Sequence, residues 1–171
     1  MNSQNKKISS AVKISKKIGN LLLVLIILIC IPLTLPKLFG YVPYTIVSGS
    51  MAPAIPTGSL VYVREAEPDT VEIGDVIAYY GGREGNAVVV HRVIGKDDRT
   101  FSTKGDANAT GDLRPVGYEQ LLGIVSGSIP KVGIAAQALT MGEGKILAIG
   151  VVALSLMLHL LAMILERKQE E

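Results

Sequence analysis

Few side chains in this sequence could drive acyl transfer. A serine hydroxyl is a weak nucleophile until a neighbouring base takes its proton, and the oxyanion formed on attack needs hydrogen-bond donors. The chain has two histidines. His91 stands in Ala87-Val88-Val89-Val90-His91-Arg92-Val93-Ile94, a β-branched run that reads as a strand. Alternation puts Val89, His91 and Val93 on one face and Val90, Arg92 and Ile94 on the other. His159 lies inside a long apolar stretch instead. Ser50 follows Gly49 in Val47-Ser48-Gly49-Ser50-Met51-Ala52-Pro53, where a glycine lets backbone approach a carbonyl and the Ser50 amide can face an oxyanion. Asp106 and Asp112 bracket a later Gly-rich stretch. Taken singly, each has a plainer reading. A histidine among valines is more often a core residue with its hydrogen bonds met, Ser-Gly-Ser is ordinary turn chemistry, and loop acids form turns or weak calcium sites.

The elements that must position these groups are a small domain and two apolar spans. Residues 21–35 are almost unbroken apolar sequence, extended by Ile18 and by Leu38-Phe39, and residues 146–165 form a second run. About 20 helical residues cross a hydrocarbon core, so both can span. Pro32 and Pro36 predict a kink or stop at the end of the first. A cleaved secretory signal is the competing reading of that segment, but no A-x-A site follows before Val42. Lys6, Lys7, Lys13, Lys16 and Lys17 precede the first span, and Arg167 and Lys168 follow the second. Basic flanks favour the cytoplasm, which puts both termini inside and the middle of the chain outside. The organisation expected is a basic tail over 1–17, a helix over 18–39, an extracytoplasmic domain over 41–140, a helix over 145–165 and a tail over 166–171. Short β-rich runs at 45–47, 60–63, 76–80, 87–94 and 122–125, separated by Gly and Pro, predict a small antiparallel β domain between two transmembrane helices, a mainly β fold. No helical periodicity of useful length shows inside it.

Composition narrows the functional classes. The chain has 171 residues, 49% of them hydrophobic, and a formal charge of +2. Its lysine-rich start adjoins an apolar helix without interleaved aromatics, so topology rather than nucleic acid explains it. The single cysteine, Cys30, lies in the first span, so no disulfide framework is expected. Without a metal-ligand spacing, P-loop or dinucleotide motif, no metal and no cofactor is expected.

The ordered set changes the reading of the individual residues. Ser-Gly-Ser-Met-Ala-Pro at 48–53 precedes Gly58 and Gly74-Asp75-Val76-Ile77, then His91-Arg92-Val93, then Thr103-Lys104-Gly105-Asp106-Ala107-Asn108, with Asp112 downstream. Over roughly 41–133 this resembles the type I signal peptidases, in the branch found in the endoplasmic reticulum, archaea and some Gram-positive bacteria. The main bacterial branch keeps a Lys-Arg pair where this chain has His91-Arg92. The resemblance implies Ser50 as nucleophile, His91 as general base and Asp112 as the acid that orients the imidazole, with Asp106 important in the same box. It also implies Ser48 as a second oxyanion donor through its hydroxyl, while Met51 belongs to an apolar stretch beside the nucleophile, where the substrate would lie. The chain departs from the commoner pattern in reading Gly-Asp-Ala-Asn and in carrying Gly111 before Asp112. What is implied is a plasma-membrane, multi-pass serine endopeptidase. It would remove signal peptides from secreted preproteins after small residues, in contact with lipid and the secretion translocon and not with nucleic acid.

Two other readings stand beside it. Lys104 could be the base of a Ser-Lys protease, although it lies outside the position where the bacterial branch keeps its lysine. The domain could also be a non-catalytic, membrane-tethered module that binds translocated proteins.

Overall fold

The apolar ends of the chain fold as long helices. The computed structural model describes residues 3–81, 87–140 and 143–170; the turn expected at Gly82 lies outside them. Helix α1 runs Ser3–Thr34 and continues as a 3-10 helix over Leu35–Phe39. Pro32 sits inside α1, which loses one backbone bond there without breaking, and the α-helix gives way just ahead of Pro36. Gly40, at φ 79°, closes the 3-10 turn in the left-handed region that glycine adopts without strain. Helix α2 spans Val132–Thr140 and α3 spans Glu143–Glu170.

Val12–Phe39 and Ile146–Arg167 are long and apolar enough to cross a bilayer, and only 6% and 11% of their most apolar stretches are buried. A core helix of a water-soluble protein hides its apolar face; these leave most of theirs exposed. The chain is a membrane protein. The helices outrun the expected spans because backbone hydrogen bonding continues past the apolar residues into the basic flanks.

The described residues form two compact units, one drawn from both ends of the chain, up to Pro32 and from Ala138, and one spanning Leu33–Gln137. In the first unit α1 and α3 touch through small and polar residues. Ser155, fully buried, donates to the Gly19 carbonyl at 2.9 Å. His159 bridges the Ser155 carbonyl and the Asn20 side-chain amide, 2.8 Å to each. A Cβ on Gly19 would come within 2.6 Å of the His159 ring, so glycine is what permits this approach. Lys16 and Glu166 close the pair with an ion pair of 2.7 Å.

The second unit is mainly β. Its strands are β1 (Tyr41–Thr45), β2 (Leu60–Arg64), β3 (Val76–Gly81), β4 (Ala87–Lys96), β5 (Thr100–Lys104), β6 (Val116–Gly117) and β7 (Leu121–Ile129). They form one antiparallel sheet in the order β1-β2-β7-β3-β4-β5-β6, so the last strand fills the centre. Ile77, Ala78 and Tyr79 are consecutive and all buried. Successive strand residues point to opposite faces, so β3 is covered on both. Ala78 joins Met51, Ile55, Val61, Val63 and Val90 in one apolar cluster, whereas Ile77 and Tyr79 join Val93 and Phe101 in the other.

Three details differ from the sequence reading. The first strand lies at Tyr41–Thr45 rather than 45–47; Ile46 still exchanges backbone bonds with Ser59 and Gly58, and the chain then peels away from the sheet. Strands β5 and β6, too short or too polar to stand out, form by pairing with β4 and with each other. Helix α2 was not expected, because nine residues give little periodic signal. Contacts with the sheet mark its start: Thr45 Oγ1 donates to the Gly133 carbonyl at 3.3 Å, and a Cβ on Gly133 would meet the Ser59 carbonyl.

Candidate active site

Ser50 is held by its neighbours on both sides. The connection from β1 to β2 turns tightly, with Ala52 N–H donating to Gly49 O and Ile55 N–H to Met51 O. Met51 and Ile55 are buried in the first apolar cluster. Fixing the Met51 side chain fixes the serine beside it. From the other side, the Ala107 amide donates to the Ser50 carbonyl at 2.8 Å. Gly105 makes this docking possible: a Cβ there would stand 2.6 Å from the Ser50 carbonyl oxygen.

His91 projects from the middle of β4, opposite Ile77 of β3, and is 8% exposed. Its Nε2 lies 3.1 Å from Ser50 Oγ and its Nδ1 lies 2.6 Å from Asp112 Oδ2. An ionised carboxylate can only accept, so Nδ1 carries the proton and the other ring nitrogen is free to accept from Ser50. Asp112 is placed by the loop that follows β5, where its amide donates to the Thr103 carbonyl at 2.8 Å. Thr103 Oγ1 also donates to Asp112 Oδ2 at 2.7 Å, and the Tyr79 hydroxyl approaches the same oxygen at 3.4 Å. Burial pushes the Tyr79 phenol up to about 12, so it stays protonated and remains a donor. The Tyr79 ring meets the His91 ring edge-on at 6.5 Å.

Arg92, next along β4, points away from His91 as alternation requires. Its Nε and Nη2 donate to the two oxygens of Asp106 at 2.8 and 2.7 Å, and Nη1 donates to the Gly74 carbonyl. These bonds hold the Asp106 carboxyl below the usual carboxylate range against the opposing effect of burial, and they raise the guanidinium in turn. Ser48 Oγ lies 3.3 Å from Ser50 Oγ. The two serines line a cavity of about 140 Å³ together with Ile46, Val47, Met51, Val88 and Val90. A serine whose proton can pass to an imidazole, backed by a carboxylate, beside a small apolar cavity, is an arrangement suited to acyl transfer to water.

The sequence is similar to known proteins over part of its length. Signal peptidase I W of Bacillus subtilis (strain 168) is 37% identical over 122 residues, 62% of this chain and 63% of that protein. The signal peptidase complex catalytic subunit sec11 of Pyrenophora tritici-repentis is 34% identical over 101 residues, 52% of this chain and 57% of that one. The subunit of the same name from Pyrenophora teres f. teres matches to the same extent. Over this part of its length the chain is similar to signal peptidases. The match spans about three-fifths of the length of these curated relatives. No protein-family profile matches the chain.

Ser50, His91 and Asp112, drawn from distant stretches of sequence, lie in hydrogen-bond contact. Ser48 stands beside them, and Met51 is buried below. Asp106 is bonded to Arg92, not to His91. Among the described residues no hydrogen bond joins Lys104 to Ser50. His159 belongs to the helical unit, with Asn20 and Ser155 as partners. The sequence reading gave no part to Arg92, Thr103 or Tyr79. The available signal was alternation: Phe101 and Thr103 share the buried face of β5, and a buried hydroxyl must find a partner.

Proposed function

We propose that the chain is a membrane-bound signal peptidase, a serine endopeptidase that removes N-terminal signal peptides from translocated preproteins. The observation that carries this reading is the contact of Ser50 Oγ with His91 Nε2 and of His91 Nδ1 with Asp112, in a domain related to signal peptidases. In the first step Ser50 Oγ attacks the scissile carbonyl while its proton passes to Nε2. The Ser50 amide and the Ser48 hydroxyl donate to the oxyanion. The imidazolium then protonates the leaving amine, the mature protein departs, and the signal peptide stays esterified to Ser50. Water, losing its proton to His91, hydrolyses the ester and restores the serine. Asp112 holds the tautomer and stabilises the transient imidazolium. The cavity beside Ser50 supports selection of small residues before the bond, since larger ones would overpack it.

A plasma-membrane location is part of the same proposal, and the flanking charges support an orientation with 1–17 and 166–171 cytoplasmic and 41–140 on the outer face, where it would meet lipid and the translocon. Two relatives are named as catalytic subunits of a signal peptidase complex, which supports preproteins as the substrate class.

Detergent-purified protein incubated with a preprotein should release a signal peptide, and Ser50→Ala or His91→Ala should lower turnover by about 10⁴-fold or more. Cleavage by Ser50→Ala at the wild-type rate would sink the proposal. A chain that binds the preprotein without cutting it would move the reading to the tethered binding module.

A further inference from the structure

Asp112, the acid behind His91, makes two hydrogen bonds with Thr103. Asp112 sits in a loop with no regular secondary structure, the Gly-rich stretch between β5 and β6. A carboxylate on such a loop can turn about its terminal torsion, which is broad and roughly two-fold. Only one orientation gives Nδ1 of His91 a well-placed acceptor. Thr103 removes that freedom in two ways. Its carbonyl takes the Asp112 amide at 2.8 Å, which sets the backbone. Its hydroxyl donates at 2.7 Å to Oδ2, the oxygen that faces His91 at 2.6 Å. The threonine is 1% exposed and lies on a paired strand, so it moves less than the residue it holds. The carboxylate is the better acceptor for its hydroxyl proton, being charged and at 2.7 Å, whereas the neutral Tyr79 hydroxyl lies 3.4 Å away.

We infer that Thr103 is a positioning residue for the acyl-transfer site, fixing the Asp112 carboxylate so that it can hold and stabilise His91. The inference rests on the proposed role of Ser50, His91 and Asp112. It does not make Thr103 a catalytic residue, since its hydroxyl touches only the acid and the neighbouring phenol.

The test is cleavage kinetics on the full chain in detergent, with thermal midpoints measured in parallel. Thr103→Val keeps the shape and removes the hydroxyl. It should lower kcat by about 10- to 100-fold, the range for losing a hydrogen bond to a charged group, with KM unchanged. Thr103→Ser should return kcat to within a few-fold of wild type. If the valine variant does not fold, Thr103→Ala against Thr103→Ser asks the same question, because those two differ by one oxygen. In an Asp112→Asn background Thr103→Val should cost almost nothing further, as expected of residues that act in series. A valine variant with wild-type kcat overturns the inference, as does a serine variant impaired as badly as valine or alanine. An active Asp112→Asn enzyme overturns the reading beneath it, whereas an inactive one beside an active Thr103→Val enzyme overturns the inference alone.

Discussion

Asp106 and Asp112 belong to one loop and answer to different partners. Asp112 faces an imidazole; Asp106 is clamped by both arms of a guanidinium. Replacing Asp112 by asparagine keeps the size and removes the charge, so the fold should survive while turnover falls by about 10⁴, as when the acid of a serine triad is lost. Asp106→Asn should act through stability. Because its folded pKa lies below the ordinary value near ~3.9, the Arg92 pair stabilises fully above that value, and the benefit is lost as pH falls through the lower folded pKa. The thermal midpoints of wild type and Asp106→Asn should therefore differ at neutral pH and converge in acid. A pH-independent difference, or a stable but inactive Asp106→Asn enzyme beside an active Asp112→Asn, would exchange the two assignments. The sequence held these residues as an ordered set but gave no distances. That Asp106 turns to Arg92 follows from strand alternation beyond His91, and the sequence reading had Arg92 on that other face without a partner for it.

At the scale of elements, the site depends on two loops laid against each other. The Ser50 turn is fixed to the core by Met51, and the Gly105–Asn108 turn hooks onto the Ser50 carbonyl through the Ala107 amide. A methyl group at Gly105 meets backbone rather than a flexible side chain, so one loop must shift. Gly105→Ala should lower cleavage by about 10²-fold, the scale of an ångström's misplacement, while the sheet stays folded by circular dichroism. An alanine enzyme of normal activity would show that the loops are not so closely matched. Strands rich in β-branched residues were legible from the sequence because burial and propensity agree there. Val116–Gly117 and Val132–Thr140 were not: a two-residue strand and a nine-residue helix form through tertiary contacts that no local pattern encodes. The proline prediction was half right, since the α-helix passes Pro32 and yields before Pro36.

The whole molecule joins a β domain to a helix pair whose surface suits lipid. In the proposed orientation Asp98, in the turn between β4 and β5, lies on the outer side of the membrane. A cysteine placed at Asp98, with Cys30 changed to serine, should react with a membrane-impermeant maleimide on intact cells. Labelling only after lysis would reverse the topology and remove the substrate argument with it. The order of strands carries a consequence for timing. Among the described residues, β1-β2 and β3-β4-β5-β6 share no ladder except through β7. Ser50 lies on the connection within the first half, and His91 and Asp112 lie in the second. A ribosome delivers Leu121–Ile129 after all of them. Until that strand is threaded into the gap, Ser50 and His91 sit on two sets of strands that no ladder joins. The proposed chemistry therefore waits on the completion of the sheet, a delay written into the order of its strands.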